Sequence, residues 1–142
     1  MEVTVDEYTS PILITINGGS SIDKALELMQ ENRIRHLPVK DLGKVVGIIS
    51  ERDLLTHTGK DWAVMLKVRD IMNPNLFSVY RNEGLGEVAL QLSSQKVGSA
   101  LVLDESGEVY GIFTTTDALN ALVEILYPEA NSKSDLKDFN RP

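Results

Sequence analysis

The chain has 142 residues, of which 42% are hydrophobic and 25% charged, so it is long enough to bury a core and too apolar for extensive disorder. It contains no cysteine, which excludes disulfides, thiolate zinc sites and cysteine nucleophiles. The net charge of −7 disfavours nucleic-acid binding. Without a signal-like N-terminus or an apolar run of about 18 residues, we expect a cytoplasmic protein that does not bind membranes.

The first half of the chain predicts a strand, a helix, a hairpin and a second helix. A short alternating run at residues 13–16 is typical of a strand. The next apolar residues recur at the i, i+3, i+4 and i+7 spacing of an amphipathic helix: Ile22, Ala25, Leu26 and Met29. Residues 35–39 and 45–50 flank a turn containing Gly43 and predict the hairpin, and residues 51–57 predict the second helix. The order is β-α-β-β-α.

The second half repeats this order 63 positions later. A strand-like run lies at residues 76–79, and the helical stripe returns at Leu85, Val88, Ala89 and Leu92. Between Gly47 and Gly111 the offset is 64, so one extra residue falls in the second hairpin loop, where an insertion costs little. A helix over residues 115–126 closes the second copy.

The repetition predicts an α+β fold made of two β-α-β-β-α repeats. We assign residues 10–58 to the first repeat and residues 74–127 to the second, with an inter-repeat linker over residues 59–73. Residues 128–142 are polar, carry charges of both signs and lack periodicity, which predicts a flexible C-terminal tail. A three-stranded sheet with helices on one face needs cover on the other face, and the second copy could supply it.

The same motif stands in each half where the last strand meets the last helix: Gly47–Asp53 and Gly111–Asp117. It consists of a glycine, two apolar residues, a hydroxyl residue, two variable residues and an aspartate. At a helix start these groups suit a phosphate and a ribose diol, because amides and hydroxyls bind anions and a carboxylate accepts from two hydroxyls. The alternative is a capping box, in which the hydroxyl and the acid satisfy the helix's own amides. The presence of two copies in register favours binding.

Taken together, the motifs resemble those of paired cystathionine β-synthase-type (CBS) domains, also called a Bateman module. The resemblance covers about residues 10–126 and is carried by Met29, His36-Leu37-Pro38-Val39, the two motifs above, and Asp70, Ile71, Met72 and Pro74. It implies that the two repeats pack sheet to sheet around a pseudo-two-fold axis and that an adenine nucleotide binds in the cleft between them. It also implies that the motif acid binds ribose and that the motif hydroxyl binds phosphate or ribose.

Carried over to this chain, the resemblance implies ten ligand-binding residues: Ser50, Arg52, Asp53, Arg35 and His36 at one site, Thr114, Thr116 and Asp117 at the other, and Ile34 and Val97 toward adenine. Under the alternative interpretation Ile34 and Val97 are core residues. The second repeat departs from the family pattern, because Gly98-Ser99 replaces the basic pair Arg35-His36. We therefore expect one phosphate-binding site, beside Asp53.

The predicted function is a regulatory module that senses AMP, ADP or ATP and signals through rearrangement of a homodimer or of a protein partner. We expect no enzyme, no metal site and no required cofactor, because the sequence shows no activated nucleophile and no metal-ligand spacing around His36 or His57. Two alternatives stay open. One is a ligand-free dimerisation scaffold, and the other is a sensor of another adenosyl ligand such as S-adenosylmethionine.

Overall fold

The computed structural model describes residues 2–12 and 14–128, which divide into two compact units. One unit contains residues 14–76, and the other contains residues 2–12 together with residues 77–128. Each unit has its own sheet, helices and core, which confirms the predicted α+β class. Leu13 of the predicted first strand and residues 129–142 of the predicted tail lie outside the described residues.

The elements follow the predicted order in both halves. The strands are β1 (Ser10–Pro11), β2 (Ile16–Asn17), β3 (His36–Asp41), β4 (Lys44–Ser50), β5 (Ser78–Tyr80), β6 (Ser99–Leu103) and β7 (Val109–Thr114). The α-helices are α1 (Ile22–Asn32), α2 (Glu51–His57), α3 (Val68–Ile71), α4 (Leu85–Gln95) and α5 (Thr115–Leu126). Strand β1, helix α3 and two 3-10 helices, Val5–Tyr8 and Asp61–Met65, were not predicted.

The unit of repeat 1 has a three-stranded sheet in the order β2-β3-β4, with β2 parallel and β4 antiparallel to β3. Its core joins the predicted helical stripe to alternate sheet residues, because one side of an amphipathic helix must leave water. The buried residues are Ile16, Ile22, Ala25, Met29, Leu37, Val39, Ile49, Leu54 and Val68. Ser21 caps α1 by accepting the amide hydrogen of Lys24 at 3.1 Å.

The unit of repeat 2 has a four-stranded sheet in the order β1-β7-β6-β5. Strand β5 is parallel to β6, whereas β1 and β6 are both antiparallel to β7. The buried residues are Val5, Val79, Leu85, Val88, Leu92, Ala100, Val102, Phe113 and Ala121. Three of the four residues of the predicted stripe on α4 are therefore in this core, and Ala89 is half-buried.

The hairpins of the two repeats share a bulge and differ in their loops. The register shifts after Val39 in repeat 1 and after Val102 in repeat 2, just before the motif glycine of the returning strand. Repeat 1 turns through Leu42 and Gly43, both with positive φ, whereas the longer loop of repeat 2 has a positive φ only at Gly107. The predicted extra residue lies in this loop.

The 63-residue repetition extends further toward the N-terminus than the sequence analysis found. Val5 and Val68 occupy equivalent positions, are both fully buried, and donate their amide hydrogens to the equivalent carbonyls of Glu83 and Ser20 at 2.8 and 2.9 Å. Val5 belongs to the unit of repeat 2, whereas Val68 belongs to the unit of repeat 1. The segment that precedes each repeat in the chain, residues 2–12 before repeat 1 and the equivalent residues 65–75 before repeat 2, thus packs on the other repeat. We call these two stretches the exchanged segments.

The two motif glycines are required by this exchange of segments. A Cβ on Gly111 would lie 2.5 Å from the carbonyl oxygen of Ser10, which pairs with β7, and a Cβ on Gly47 would lie 2.5 Å from the Met72 sulfur. Asn73 forms two backbone hydrogen bonds with Ile48, at 3.0 and 2.9 Å. A side chain at either glycine would push the incoming segment off the strand.

Candidate functional site

Each motif forms a capping box at its strand-to-helix junction. The Ser50 hydroxyl oxygen accepts the amide hydrogen of Asp53 at 3.1 Å, and Asp53 Oδ2 accepts the amide hydrogen of Ser50 at 3.3 Å. In repeat 2 the corresponding distances between Thr114 and Asp117 are 3.3 and 2.9 Å. The capping interpretation of the motif is thus observed in both repeats. A capping carboxylate has further lone pairs, so capping does not use its whole acceptor capacity.

The basic pair of repeat 1 lies beside this junction. His36 is the cross-strand partner of Ser50, and the Arg35 carbonyl accepts the amide hydrogen of Glu51 at 2.8 Å. Arg35 and Arg52 are exposed, and His36 is half-buried. The hairpin register therefore gathers all five predicted polar site residues of repeat 1 at the start of α2: Arg35, His36, Ser50, Arg52 and Asp53.

Repeat 2 has the same backbone arrangement without the cations. Ser99 is the cross-strand partner of Thr114, and the Gly98 carbonyl accepts the amide hydrogen of Thr115 at 3.1 Å. The exposed residue before the motif acid is Thr116, at the position of Arg52. The two junctions therefore differ in charge, while their hydroxyl and carboxylate groups are placed alike.

The two predicted adenine-contacting residues pack on the cores of their own repeats. Helices α1 and α4 end in left-handed residues, Arg33 and Lys96, and the next residue closes the turn. Ile34 donates its amide hydrogen to the Met29 carbonyl at 3.0 Å, and Val97 to the Leu92 carbonyl at 3.1 Å. The side chains of Ile34 and Val97 are half-buried against the hydrophobic core of their own repeat, which explains why both residues are apolar. Their predicted contact with adenine stays a prediction.

An aromatic cluster that the sequence analysis did not assemble lies one turn beyond Asp53. His57 Nδ1 is 2.9 Å from the Asp53 carbonyl oxygen, and the His57 ring contacts the Trp62 ring edge-on at 5.8 Å between centroids. Lys60 Nζ lies 5.3 Å from the Trp62 ring centroid. Trp62 is 52% exposed, so it packs on repeat 1 with one side only.

Residues 2–12 and 14–128 contain no group of three or more histidine, aspartate or glutamate side chains placed to hold a metal ion. No helix within these ranges is long and apolar enough to cross a membrane.

The chain belongs to the CBS domain family, whose pattern matches residues 5–59 and 68–124. Both matches begin at the exchanged segments, at Val5 and Val68. The fold and the family match together define a tandem CBS pair.

Among curated proteins, a CBS domain-containing protein from Dictyostelium discoideum is 34% identical over 140 residues, which covers 90% of this chain and 97% of that protein. An uncharacterized protein from Methanocaldococcus jannaschii is 26% identical and matches 81% of this chain but only 45% of its own length. The L-aspartate semialdehyde sulfurtransferase of the same organism is 30% identical over 114 residues. The chain covers 22% of that enzyme's length.

Similar solved structures are CBS pairs with different ligands. A CBS domain pair in complex with 5′-methylthioadenosine and S-adenosyl-L-methionine has a TM-score of 0.75 at 27% identity and covers 86% of this chain and 97% of its own. CBSX2 of Arabidopsis thaliana in complex with AMP has a TM-score of 0.71 at 29% identity, with coverages of 87% and 98%. The CBS domain of a bacterial CNNM/CorC-family Mg²⁺ transporter in complex with ATP has a TM-score of 0.74 at 26% identity, with coverages of 85% and 87%.

Proposed function

We propose that this chain is a regulatory module, not an enzyme, and that it binds an adenine nucleotide at the Ser50–Asp53 junction. The ligand class is supported by the three similar structures, which hold AMP, ATP, or 5′-methylthioadenosine with S-adenosyl-L-methionine. All of these ligands carry an adenine base on a ribose ring. Binding signals through rearrangement of a homodimer or of a protein partner, because a ligand shifts an equilibrium by binding one state better than another.

The pairing of His36 with Ser50 is the observation that carries this proposal. It sets Arg35 and His36 beside a helix start that already holds a hydroxyl and a carboxylate. Cations and helix-terminal amides attract a phosphate, and the aspartate oxygens accept hydrogens from ribose. Asp53 uses Oδ2 for the cap, and no described residue donates a hydrogen bond to its Oδ1. That oxygen is the proposed ribose acceptor.

The second junction takes an adenosyl ligand without a phosphate requirement. Gly98 and Ser99 supply no charge where Arg35 and His36 stand in repeat 1. A nucleoside or a thioether such as 5′-methylthioadenosine suits such a site better than AMP does, because an uncompensated phosphate gains nothing there. Ligand binding at the Asp117 junction therefore decides between two kinds of sensor. A chain that binds S-adenosylmethionine-type ligands there senses these ligands, and a chain that binds none there senses nucleotides alone.

Calorimetric titration with AMP and with adenosine at two salt concentrations tests the proposal. We expect AMP to bind the wild type more tightly than adenosine at one site, with an affinity that falls as salt rises, because salt screens the exposed cations. Arg35→Ala should remove this preference. Lys40→Ala is the matched control, since Lys40 is an exposed cation on β3 away from the junction. An unchanged AMP preference in Arg35→Ala would exclude the phosphate role.

Asp53→Asn separates ribose binding from capping. The amide oxygen of asparagine still accepts the Ser50 amide hydrogen, but the side chain loses its charge. We expect an unchanged melting temperature and a weakened AMP affinity. If both quantities stay unchanged, Asp53 has no ribose role.

A ligand-free dimerisation scaffold is the second candidate, because both motif acids already cap helices. A thermal-shift measurement distinguishes the candidates. A ligand at a hundred times its dissociation constant stabilises the folded state by about 2.7 kcal/mol, whereas a scaffold shows no shift with AMP, ATP, adenosine or S-adenosylmethionine.

A further inference from the structure

The two exchanged segments carry opposite charges at one equivalent position. Asp6 stands in the first segment, and Arg69 stands 63 residues later in the second. The backbone holds both residues in the same way. Asp6 donates its amide hydrogen to the Arg81 carbonyl at 3.2 Å, and Arg69 donates its own to the equivalent carbonyl of Gly18 at 2.9 Å. The two side chains therefore start from the same place on the repeat that each segment packs on.

Repeat 2 presents a cation at this place. Arg81 Nε lies 3.3 Å from Asp6 Oδ2, and the Arg81 guanidinium lies over the Tyr110 ring, 4.1 Å from its centroid. The side chains of Arg81 and Asp6 are 32% and 24% exposed, so water screens this pair less than a fully exposed one. A hydrogen bond from Ser106 and the charge of Arg81 hold the pKa of Asp104 below its usual range, so Arg81 lies near this second anion as well.

Repeat 1 presents an anion at the equivalent place. Arg69 Nη2 donates to Asp41 Oδ1 at 3.1 Å. Gly18 stands where repeat 2 has Arg81, and a Cβ on Gly18 would lie 2.6 Å from Asp41 Oδ2. The Asp41 carboxylate therefore fills the space that a side chain at position 18 would need. The sign of the ion pair is reversed between the two repeats.

From this reversal we propose that the two ion pairs decide which exchanged segment packs on which repeat. The two segments share their backbone hydrogen bonds and a fully buried valine, so neither feature distinguishes them. A segment packed on the repeat that directly follows it would place Asp6 against Asp41, or Arg69 against Arg81. Each wrong placement loses an attractive pair and brings like charges together, and such repulsion gives specificity.

Asp104 does not offer Arg69 a substitute partner in repeat 2. It stands 63 residues after Asp41, but its Oδ1 accepts three hydrogen bonds within its own loop, at 2.6, 2.9 and 3.1 Å. With Arg81 already near this carboxylate, an incoming Arg69 would add a second cation to one anion. The wrong placement therefore keeps a repulsive contact.

Introduced thiols can report which segment packs on which repeat, because the chain has no cysteine of its own. Ser10 is the strand partner of Ile112 in repeat 2, and the equivalent Asn73 is the partner of Ile48 in repeat 1. The full chain with Ser10→Cys, Ile48→Cys and Ile112→Cys therefore offers the first segment one thiol on each repeat. After equilibration in a glutathione redox buffer, peptide mass spectrometry measures the ratio of the disulfide between positions 10 and 48 to that between positions 10 and 112.

Exchanging the charges of the segments should change this ratio. In the three-thiol chain, Asp6→Arg with Arg69→Asp should raise the ratio at least about tenfold, because attractive and repulsive contacts then change places. Adding Asp41→Arg with Arg81→Asp is the matched control. It keeps the altered segments and restores opposite charges across both native contacts, so the ratio should return to within about threefold of its starting value.

A ratio that the charge exchange leaves unchanged would give the ion pairs a stabilising role only and overturn the proposal. A raised ratio that Asp41→Arg with Arg81→Asp does not lower would overturn it as well, because the effect would then not come from the pairs. The neutral variant Asp6→Asn with Arg69→Gln covers a failure of the charge-exchanged chain to fold. Its ratio should rise about threefold, since attraction is lost without new repulsion, and an unchanged ratio there also contradicts the proposal.

Discussion

The two repeats have the same backbone at their junctions but different side chains beside them. Both motifs close a capping box, and both strands receive an incoming segment at a glycine. Only repeat 1 adds Arg35, His36 and Arg52 around the helix start. The motif residues that occur in both repeats therefore have structural roles: they cap helices or make room for an incoming segment. Any difference in what the two repeats bind must therefore come from the residues that are not repeated.

The largest expected effect tests the shared part of the junction. Gly111→Ala should destabilise the chain by about 2 to 3 kcal/mol, because the new Cβ meets the Ser10 backbone oxygen at 2.5 Å. Gly47→Ala should cost about 1 to 2 kcal/mol, since its nearest obstacle at 2.5 Å is the flexible Met72 side chain. Urea denaturation measures both losses. Equal losses would show that the backbone of Asn73, 2.9 Å from the new Cβ on Gly47, decides the cost instead.

Substitutions of the two motif acids test whether the junctions differ in ligand binding. Asp53→Ala and Asp117→Ala each remove a capping acid, so both should lower stability by about 1 kcal/mol. Asp53→Ala alone should weaken AMP binding, by about 1.5 to 3 kcal/mol, because a charged acceptor is lost from the ribose. Denaturation and calorimetry on the same two proteins separate these effects. A similar loss of AMP affinity in both variants would contradict the assignment of the nucleotide to repeat 1.

Substitutions in the two hairpin loops should give a smaller difference in stability. Leu42 is fully exposed with a φ of 51°, a conformation that is unfavourable for leucine and tolerated by asparagine. Leu42→Asn should therefore stabilise the chain by about 1 kcal/mol in thermal or urea unfolding. Glu105→Asn, in the longer loop of repeat 2, is the control and should give no gain, since Glu105 has no positive φ. A gain from both variants would point to a general effect of asparagine.

High pH distinguishes the two exchanged segments. Tyr8 donates its hydroxyl hydrogen to Glu124 at 2.5 Å, which raises the pKa of Tyr8 from 10.0 to about 12, whereas repeat 1 has Ile71 at this position. Because the folded state holds the proton more tightly, this stabilisation is complete below pH 10 and is lost as the pH rises through about 12. Melting temperatures between pH 9 and pH 12 should fall less steeply in Tyr8→Phe, in which no phenol titrates. An identical slope in the two proteins would remove the contribution of this bond.

The sequence predicted the helices and hairpins well, because their apolar residues recur with a visible period. Ile22, Ala25 and Met29 are buried as the helical spacing indicates, and the register of β3 with β4 places Arg35 and His36 at the predicted junction. The exchanged segments were missed because they are too short for a period. Their signal was the same 63-residue offset, which relates Val5 to Val68 and Pro11 to Pro74.

The sequence could not decide whether the motif acids cap a helix or bind ribose. A hydroxyl followed three residues later by an acid gives the same pattern whether the acid caps a helix or binds ribose. The structure shows the cap directly in both repeats. The ligand role of Asp53 depends on its second oxygen, which the sequence pattern does not describe.

The exchange of segments has a consequence for folding during synthesis on the ribosome. Residues 14–76 form one unit that is contiguous in the chain, so it is complete before repeat 2 has been translated. Residues 2–12 are synthesised before both repeats, yet their partners lie in residues 77–128, and the strand partners of Ser10 and Pro11 are Ile112 and Gly111. Val5 and Tyr8 must stay in water until then, so a chaperone that binds the nascent chain should contact them for longer than it contacts Val68, whose partners precede it.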